Sequence, residues 1–435
     1  MSRNLVVVAA SFIAIFPYLL HAYPLDGGDR GISRLVAMQS TVKKLAPGAY
    51  LTQSEIALTL LQQGAWDLQQ TPRDPQLQQA LEGIFQQRDP SYGVTVIDFS
   101  IPENIRWAGV REKRTQIPGS VGKLLCMTAL FDGLRRAFPE EKQRENLLRQ
   151  REVSGGEWVV GDSHKVPVVD PVTTAIHYRP IRSDDRFTLA EWLDHMISAS
   201  ANSAGSVIWK EALLLHQFRE AYPPTEAEEA AFLAATSAVK LGEMAQQVIQ
   251  APLLAAELDP KSFRVGSFWT SYGKKRVQAG GGSTVSPLEL ARWLLRLEQG
   301  RLVDSWSSLE MKKYLYMTKR RYRYVYPPEL TQAAVYFKSG SQFRCRPEEG
   351  YSCGKYMGNE QNAMNSAVII ESPASASGEQ KRYLVALTSD VRKVNSAWDH
   401  ARLGAAIEEM VTQGRTVVVQ SSGSQDEIRS SGRSE

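Results

Sequence analysis

The chain has 435 residues, 43% of them hydrophobic, enough for one large domain or two of ordinary size. Charged residues make up 23% and the formal net charge is +4, too small and too evenly spread to mark a nucleic-acid binder. The six histidines are scattered and no C2H2, HExxH, P-loop or GxGxxG pattern occurs, so neither a metal nor an organic cofactor is expected.

Residues 1–23 have the build of an export signal. Arg3 precedes an apolar run, Leu5 to Leu20, and His21-Ala22-Tyr23-Pro24 follows. The run is shorter than the roughly 18 apolar residues of a spanning helix. Such a start has two outcomes: cleavage, giving a periplasmic or secreted protein, or an uncleaved anchor at the inner membrane. Residues 24–88 are Gln-rich with helical periodicity, as in "SEIALTLLQQGAWDLQQ" and "PQLQQALEGIFQQ", and predict a helical N-terminal extension.

The period then changes. "SYGVTVIDFS" (91–100) and "NIRWAGVREK" (104–113) predict paired strands joined at Ile101-Pro102-Glu103. In "IPGSVGKLLCMTALFDGLRRAF" (117–138) Pro118 and Gly119 break the chain direction. Val121, Leu124, Leu125, Ala129 and Leu130 then recur at helical spacing. Ser120 and Lys123 fall on the first turn of that helix, and Cys126 among apolar neighbours predicts a buried thiol. "RFTLAEWLDHMISASANSAGS" (186–206) opens with Thr188 and Glu191 as a capping box, and its helix should end near Ser198. A helical, alanine-rich stretch runs to about residue 258. Ser286, Pro287 and Glu289 start another helix, which makes Ser286 a structural cap.

Strand patterns return at 333–343, 365–372 and 382–390. A last helix over about 396–412 and a disordered tail over 416–435 close the chain. Cys345 and Cys353 flank a turn-forming loop, and a disulfide between them suits an exported protein. The basic run "KRRYRYVY" (319–326) predicts a solvated face, with contact to a substrate carboxylate or an anionic glycan as the alternative. The asparagines of "GNEQNAMNS" (358–366) predict turn chemistry, with a place near a cleft as the alternative, since the stretch lies between two strands. Together the elements predict an α/β (α+β) fold: an antiparallel sheet flanked by helices, with a second, all-helical lobe.

Ser-x-x-Lys alone is weak evidence, since it begins at Ser40, Ser120, Ser237, Ser271 and Ser352. Its company decides. Ser120-Lys123 is followed by Ser200-Ala201-Asn202 and then by Lys338-Ser339-Gly340 inside a strand pattern. This ordered trio resembles the penicillin-recognising serine enzymes, the serine β-lactamases and D,D-peptidases (penicillin-binding proteins). "MISASANSAG" and "STVSPLELARWLLRLEQG" look most like class A β-lactamases. The resemblance covers roughly residues 90 to 415, and places a hydrolase domain at 89–415.

The resemblance implies roles. Ser120 would attack an amide or lactam carbonyl, and Lys123 would activate it. Ser200 would relay a proton to the leaving nitrogen. Asn202 would hold Lys123 and the substrate amide. Lys338 with Ser339 would bind the substrate carboxylate. Backbone N–H groups of Ser120 and Ser341, beside Gly340, would form the oxyanion hole. Substrates would be β-lactams or D-Ala-D-Ala-like peptides of peptidoglycan. Two departures matter. Ala201 stands where class A enzymes usually have aspartate, and the Glu-x-x-Leu-Asn motif of their deacylating loop is missing. Glu243 and Glu257 lie in the right segment without its surroundings and are expected at the surface. The rivals are therefore a slowly deacylating D,D-peptidase and a non-catalytic wall-binding or sensor protein.

Overall fold

The computed structural model describes residues 30–39, 48, 51–318, 321–373 and 380–430, with side chains up to 413 in the last helix. The export signal expected over 1–23 lies outside them. No described helix is long and apolar enough to cross a membrane.

In chain order the elements begin with helices α1 (Ser33–Gln39) and α2 (Pro75–Phe85) and strands β1 (Gly93–Asp98) and β2 (Arg106–Val110). Helices α3 (Lys123–Ala137) and α4 (Glu141–Gln150) come next. Short strands β3 (Glu152–Ser154), β4 (Lys165–Val169), β5 (Ile176–Pro180) and β6 (Arg186–Thr188) follow. Then come α5 (Leu189–Ile197), α6 (Asn202–Phe218), α7 (Glu226–Ala235), α8 (Ala238–Ala255), β7 (Phe263–Arg264), α9 (Ser271–Arg276) and β8 (Thr284–Val285). The chain ends with α10 (Pro287–Glu298), α11 (Ser305–Tyr316), β9 (Ala334–Arg344), β10 (Gln361–Glu371), β11 (Arg382–Asp390) and α12 (Ser396–Ser430).

Five strands form one antiparallel sheet in the order β2-β1-β11-β10-β9. Alternate residues enter two cores. Val94, Val96, Val335, Val368 and Val385 meet α2 and α12 on one face. Ile97, Tyr336, Ile369 and Leu384 meet the helices of the other lobe. Because both faces are covered, the inner strands read as unbroken apolar runs such as "AVII" and "LVAL", not as polar alternation. The stripe on α2 is Leu77, Leu81 and Phe85, one side chain per turn. Burying each contributes roughly 1.5–3 kcal/mol. Asp74 caps this helix by accepting from Leu77 N at 2.7 Å, with Pro75 in the first position. The second lobe is built on α3 packed against α6, and it also carries the small pairs β3–β6 and β4–β5.

Residues 54–70 depart from their helical periodicity. They form turns with one 3-10 turn at Leu61–Gln63. Tertiary partners take the backbone groups a helix would use. Leu60 N donates to Glu298 O at 3.1 Å, and Thr59 N donates to Glu298 Oε2 at 2.9 Å. Ala57 O accepts from buried Lys312 at 2.6 Å. Ile56, Leu60 and Leu68 then sink into the core of the helical lobe. Further upstream, Arg34 on α1 is buried in a bidentate pair with Asp194 on α5, both bonds 2.6 Å. The 24–88 segment, where described, thus packs on the same cores as the rest. The final helix runs past the end expected near 412, and backbone to residue 430 is helical where a disordered tail is predicted from 416. No proline interrupts that stretch.

Candidate active site

The three motifs meet in one cleft of about 1080 Å³ between the sheet and the helical lobe. Ser120 sits on a 3-10 turn, Gly119–Gly122, that runs straight into α3. The lysine three residues on therefore falls on the same side, and Lys123 Nζ lies 3.0 Å from Ser120 Oγ. Lys123 also donates to Ser200 O at 2.8 Å and Asn202 Oδ1 at 2.7 Å. Its side chain is fully buried. Burial pulls its pKa down to about 7, against a smaller opposing pull from the Asp162 charge. No carboxylate touches it, so near neutrality much of the amine is free of its proton and can accept the one on Ser120.

Ser200 and Ala201 lie in the break between α5 and α6, and Asn202 opens α6. Helix α5 starts where the capping signals place it, with Thr188 Oγ1 accepting from Glu191 N. Ser200 is left-handed, at φ +62°, a backbone that costs a non-glycine residue about 1–3 kcal/mol and concentrates at functional sites. In that conformation its carbonyl meets Lys123, while its hydroxyl accepts from Lys338 Nζ at 2.8 Å. One residue thus links the two lysines. The rest of the α6 start serves the site as well. Ser203 N and Oγ both donate to Asp162, at 2.8 and 2.9 Å. Burial tends to raise the Asp162 pKa, but its bonds from His164 and Ser203 hold it below the usual carboxylate range. Ser206 Oγ accepts from Trp269 N at 3.3 Å and Thr270 N at 3.2 Å. This anchors a cleft-lining loop and sets the Trp269 ring 5.4 Å from Lys123 Nζ.

Lys338, Ser339, Gly340 and Ser341 lie on β9, an edge strand of the sheet. Gly340 has no alternative. A Cβ there would stand 2.3 Å from Pro118 O and 2.7 Å from Ser120 N. A Cβ on Gly119 would reach 2.9 Å from Ser341 N. Turn and strand backbones therefore abut, side by side at Ser120 and Ser341. Lys338 is buried, and burial together with Lys123 and Arg323 pushes its pKa well below the ordinary lysine value.

Several site residues carry no sequence signal of their own. Arg323, at φ +58° and nearly buried, donates to Ser339 Oγ at 2.7 Å, Ser341 Oγ at 3.1 Å and Tyr356 Oη at 2.9 Å. This corrects the solvated face predicted for the run at Arg323, which lines the cleft as the alternative reading has it; Lys319 and Arg320 lie outside the described residues. Arg321 there is also buried, bonded to the carbonyls of Leu330, Thr331 and Ala333. The "GNEQNAMNS" stretch divides: Gly358 to Glu360 lie in the bend before β10, and the rest belongs to the strand. Its Asn365 lies on β10, opposite Gly340, and donates to Ile117 O and Pro118 O at 2.9 and 3.0 Å. Asn365 Oδ1 accepts from Gln116 Nε2 at 2.7 Å, so the pair braces the turn that carries Ser120.

Cys345 and Cys353 form a disulfide beside the cleft, and buried Cys126 is unpaired. Among the described residues no Asp or Glu lines the cleft. Glu243 pairs with Lys240 at the surface, and Glu257 faces Arg296 at 2.9 Å. Ser237 and Ser271, from the other Ser-x-x-Lys matches, belong to helix starts.

No family model matches the sequence, and no curated protein matches it. Solved structures do. A class A β-lactamase from Bacteroides cellulosilyticus is 13% identical, over 78% of this chain and 98% of its own, with a TM-score of 0.50. PBP-A is 15% identical, over 80% of this chain and 98% of its own, at 0.48. A β-lactamase from Chitinophaga pinensis is 15% identical, over 77% and 99%, at 0.46. At such identities the likeness is one of architecture: the chain has the fold of the serine β-lactamases and penicillin-binding proteins.

Proposed function

We propose that this protein is an exported active-site-serine acyl hydrolase that forms an acyl-enzyme with β-lactams or D-Ala-D-Ala-like peptides. One observation carries the reading: a buried, carboxylate-free Lys123 amine 3.0 Å from the hydroxyl of Ser120. Ser120 Oγ bonds to the substrate carbonyl carbon and passes its proton to Lys123. The C–N bond then breaks, and the leaving nitrogen takes a proton through the Ser200 hydroxyl. Asn202 fixes the Lys123 amine and receives the substrate amide. Lys338, Ser339 and Arg323 receive the substrate carboxylate. The N–H groups of Ser120 and Ser341 hold the oxyanion, a contribution of about 3–4 kcal/mol per donor in comparable sites. Water then cleaves the acyl ester.

The second reading, a D,D-peptidase that deacylates slowly, is supported by the lack of a carboxylate among the described cleft residues. Both readings share the acylation step. A time course of fluorescent-penicillin labelling tests them together. Labelling lost in Ser120→Ala supports the serine, and a label that persists for many minutes favours the second reading. No labelling of the unaltered protein counts against both and favours a non-catalytic binding protein.

A further inference from the structure

We propose that Arg34 on α1 is a positioning residue for acyl transfer, holding the Ser200 turn against Lys123. This rests on the acyl-transfer reading above and adds a residue outside the three motifs. The Arg34 side chain is 1% exposed and does not line the cleft. Its Nε donates to Asp194 Oδ2 and its Nη2 to Asp194 Oδ1, both at 2.6 Å. Nη2 also donates to Ser198 Oγ at 3.3 Å and Met317 O at 2.8 Å. One guanidinium thus joins the last turn of α5, the Ser198 that ends it, and the end of α11. Helix α1 is docked around this contact. Ser33 donates to Glu191 on α5, and Arg30 to Glu310 on α11.

What the contact holds is the strained part of the site. Ser200 follows Ser198 by two residues. Its left-handed backbone aims its carbonyl at Lys123 and its hydroxyl at Lys338. A non-glycine residue keeps such a conformation only where its surroundings over-determine it. Backbone bonds do part of this. Ser198 N donates to Asp194 O at 2.7 Å, and Ala201 N to His195 O at 3.0 Å. Arg34 fixes Asp194 and Ser198 again, by their side chains. Ser198 itself borders the cleft, so a shift there is a shift at the site. The role needs an arginine. Its planar fork spans both carboxylate oxygens and still has an N–H for Ser198, whereas a lysine offers one point of charge.

The test is stopped-flow acylation by a reporter β-lactam. It is followed across reporter concentration, so that the maximal rate and the affinity are read separately. Arg34→Met alone would strand the buried Asp194 carboxylate and destabilise the lobe, so two other variants are used. The double variant Arg34→Met, Asp194→Leu removes both charges and fills the site with apolar side chains, a replacement that commonly keeps stability. Arg34→Lys keeps the charge and loses the fork. The maximal rate should fall about ten-fold or more in the double variant and roughly five-fold in Arg34→Lys, because small misplacements originating away from the chemistry slow it by such factors. In both, the affinity should stay within about two-fold of the parent, because Arg34 touches no substrate. Denaturant unfolding should give a midpoint near the parent's. Where the double variant does not fold, Arg34→Lys decides alone. A parental maximal rate in either folded variant overturns the proposal, and so does a loss that lies in affinity alone. Fluorescent-penicillin labelling of the unaltered protein separates the two levels. Labelling, with parental rates in the variants, overturns the role of Arg34 alone. No labelling overturns the acyl-transfer reading and the role of Arg34 with it.

Discussion

Asn202→Asp is the most informative single change, because it sets a charge beside Lys123 with hardly any change of shape; the amide N–H it removes lowers the rate alike at every pH, whereas the charge moves the midpoint. Asn202 Oδ1 lies 2.7 Å from Lys123 Nζ. A carboxylate of the same shape leaves no cavity and keeps the contact, but it stabilises the ammonium. An opposite charge so close raises an amine pKa by about 1–3 units. Lys123 starts from about 7, where burial has pulled it. At about pH 7 half the amine is then neutral, and a rise of about 2 units leaves roughly one part in a hundred. Acylation at that pH should fall about 50-fold and recover as the solution is brought past about pH 9. Stopped-flow acylation rates with a reporter β-lactam, taken across the pH range, give both midpoints. An unshifted midpoint would refute the role of neutral Lys123 as base.

Lys123→Met should show the cost of keeping that amine buried. The folded pKa is depressed, so between it and the ordinary lysine value the unfolded chain holds the extra proton, and parent stability rises with pH across that window. The stability of the Met variant relative to the parent should therefore be greatest below about pH 7 and shrink by a few kcal/mol toward pH 10, as read by denaturant unfolding. Gly340→Ala should cut acylation by about 100-fold or more, since its methyl would displace the Ser120 turn from β9 and with it an oxyanion donor. An unaffected rate would mean that the two N–H groups do not act together. Non-reducing peptide mapping should find Cys345 joined to Cys353 and Cys126 free. Any pairing of Cys126 would contradict its burial on α3.

What the sequence revealed follows from how far apart the interacting residues lie. The Ser120 turn, the Thr188 and Ser286 caps and the late strands are local patterns, and each is found where its residues predict. The trio Ser120-Lys123, Ser200-Asn202 and Lys338-Ser339-Gly340 could be ordered along the chain because its members are short motifs. Asp162 and Trp269 were illegible for the opposite reason, and Arg323 and Asn365 only partly legible. Each acts through partners on other elements, as Asn365 does through carbonyls nearly 250 residues away. The solvated reading fails at Arg321 and Arg323 because a local charge count cannot see the carbonyls that bury Arg321 or the hydroxyls that hold Arg323. Residues 54–70 mislead because their apolar spacing is helical, while α10 and α11 supply the bonds that decide their conformation.

The central claim is that Ser120 becomes acylated, and intact mass spectrometry after a brief penicillin pulse measures it directly. The expected result is one penicilloyl adduct per chain, mapped to the peptide containing Ser120 and missing from Ser120→Ala. An adduct on any other residue, or one that persists in Ser120→Ala, would contradict it.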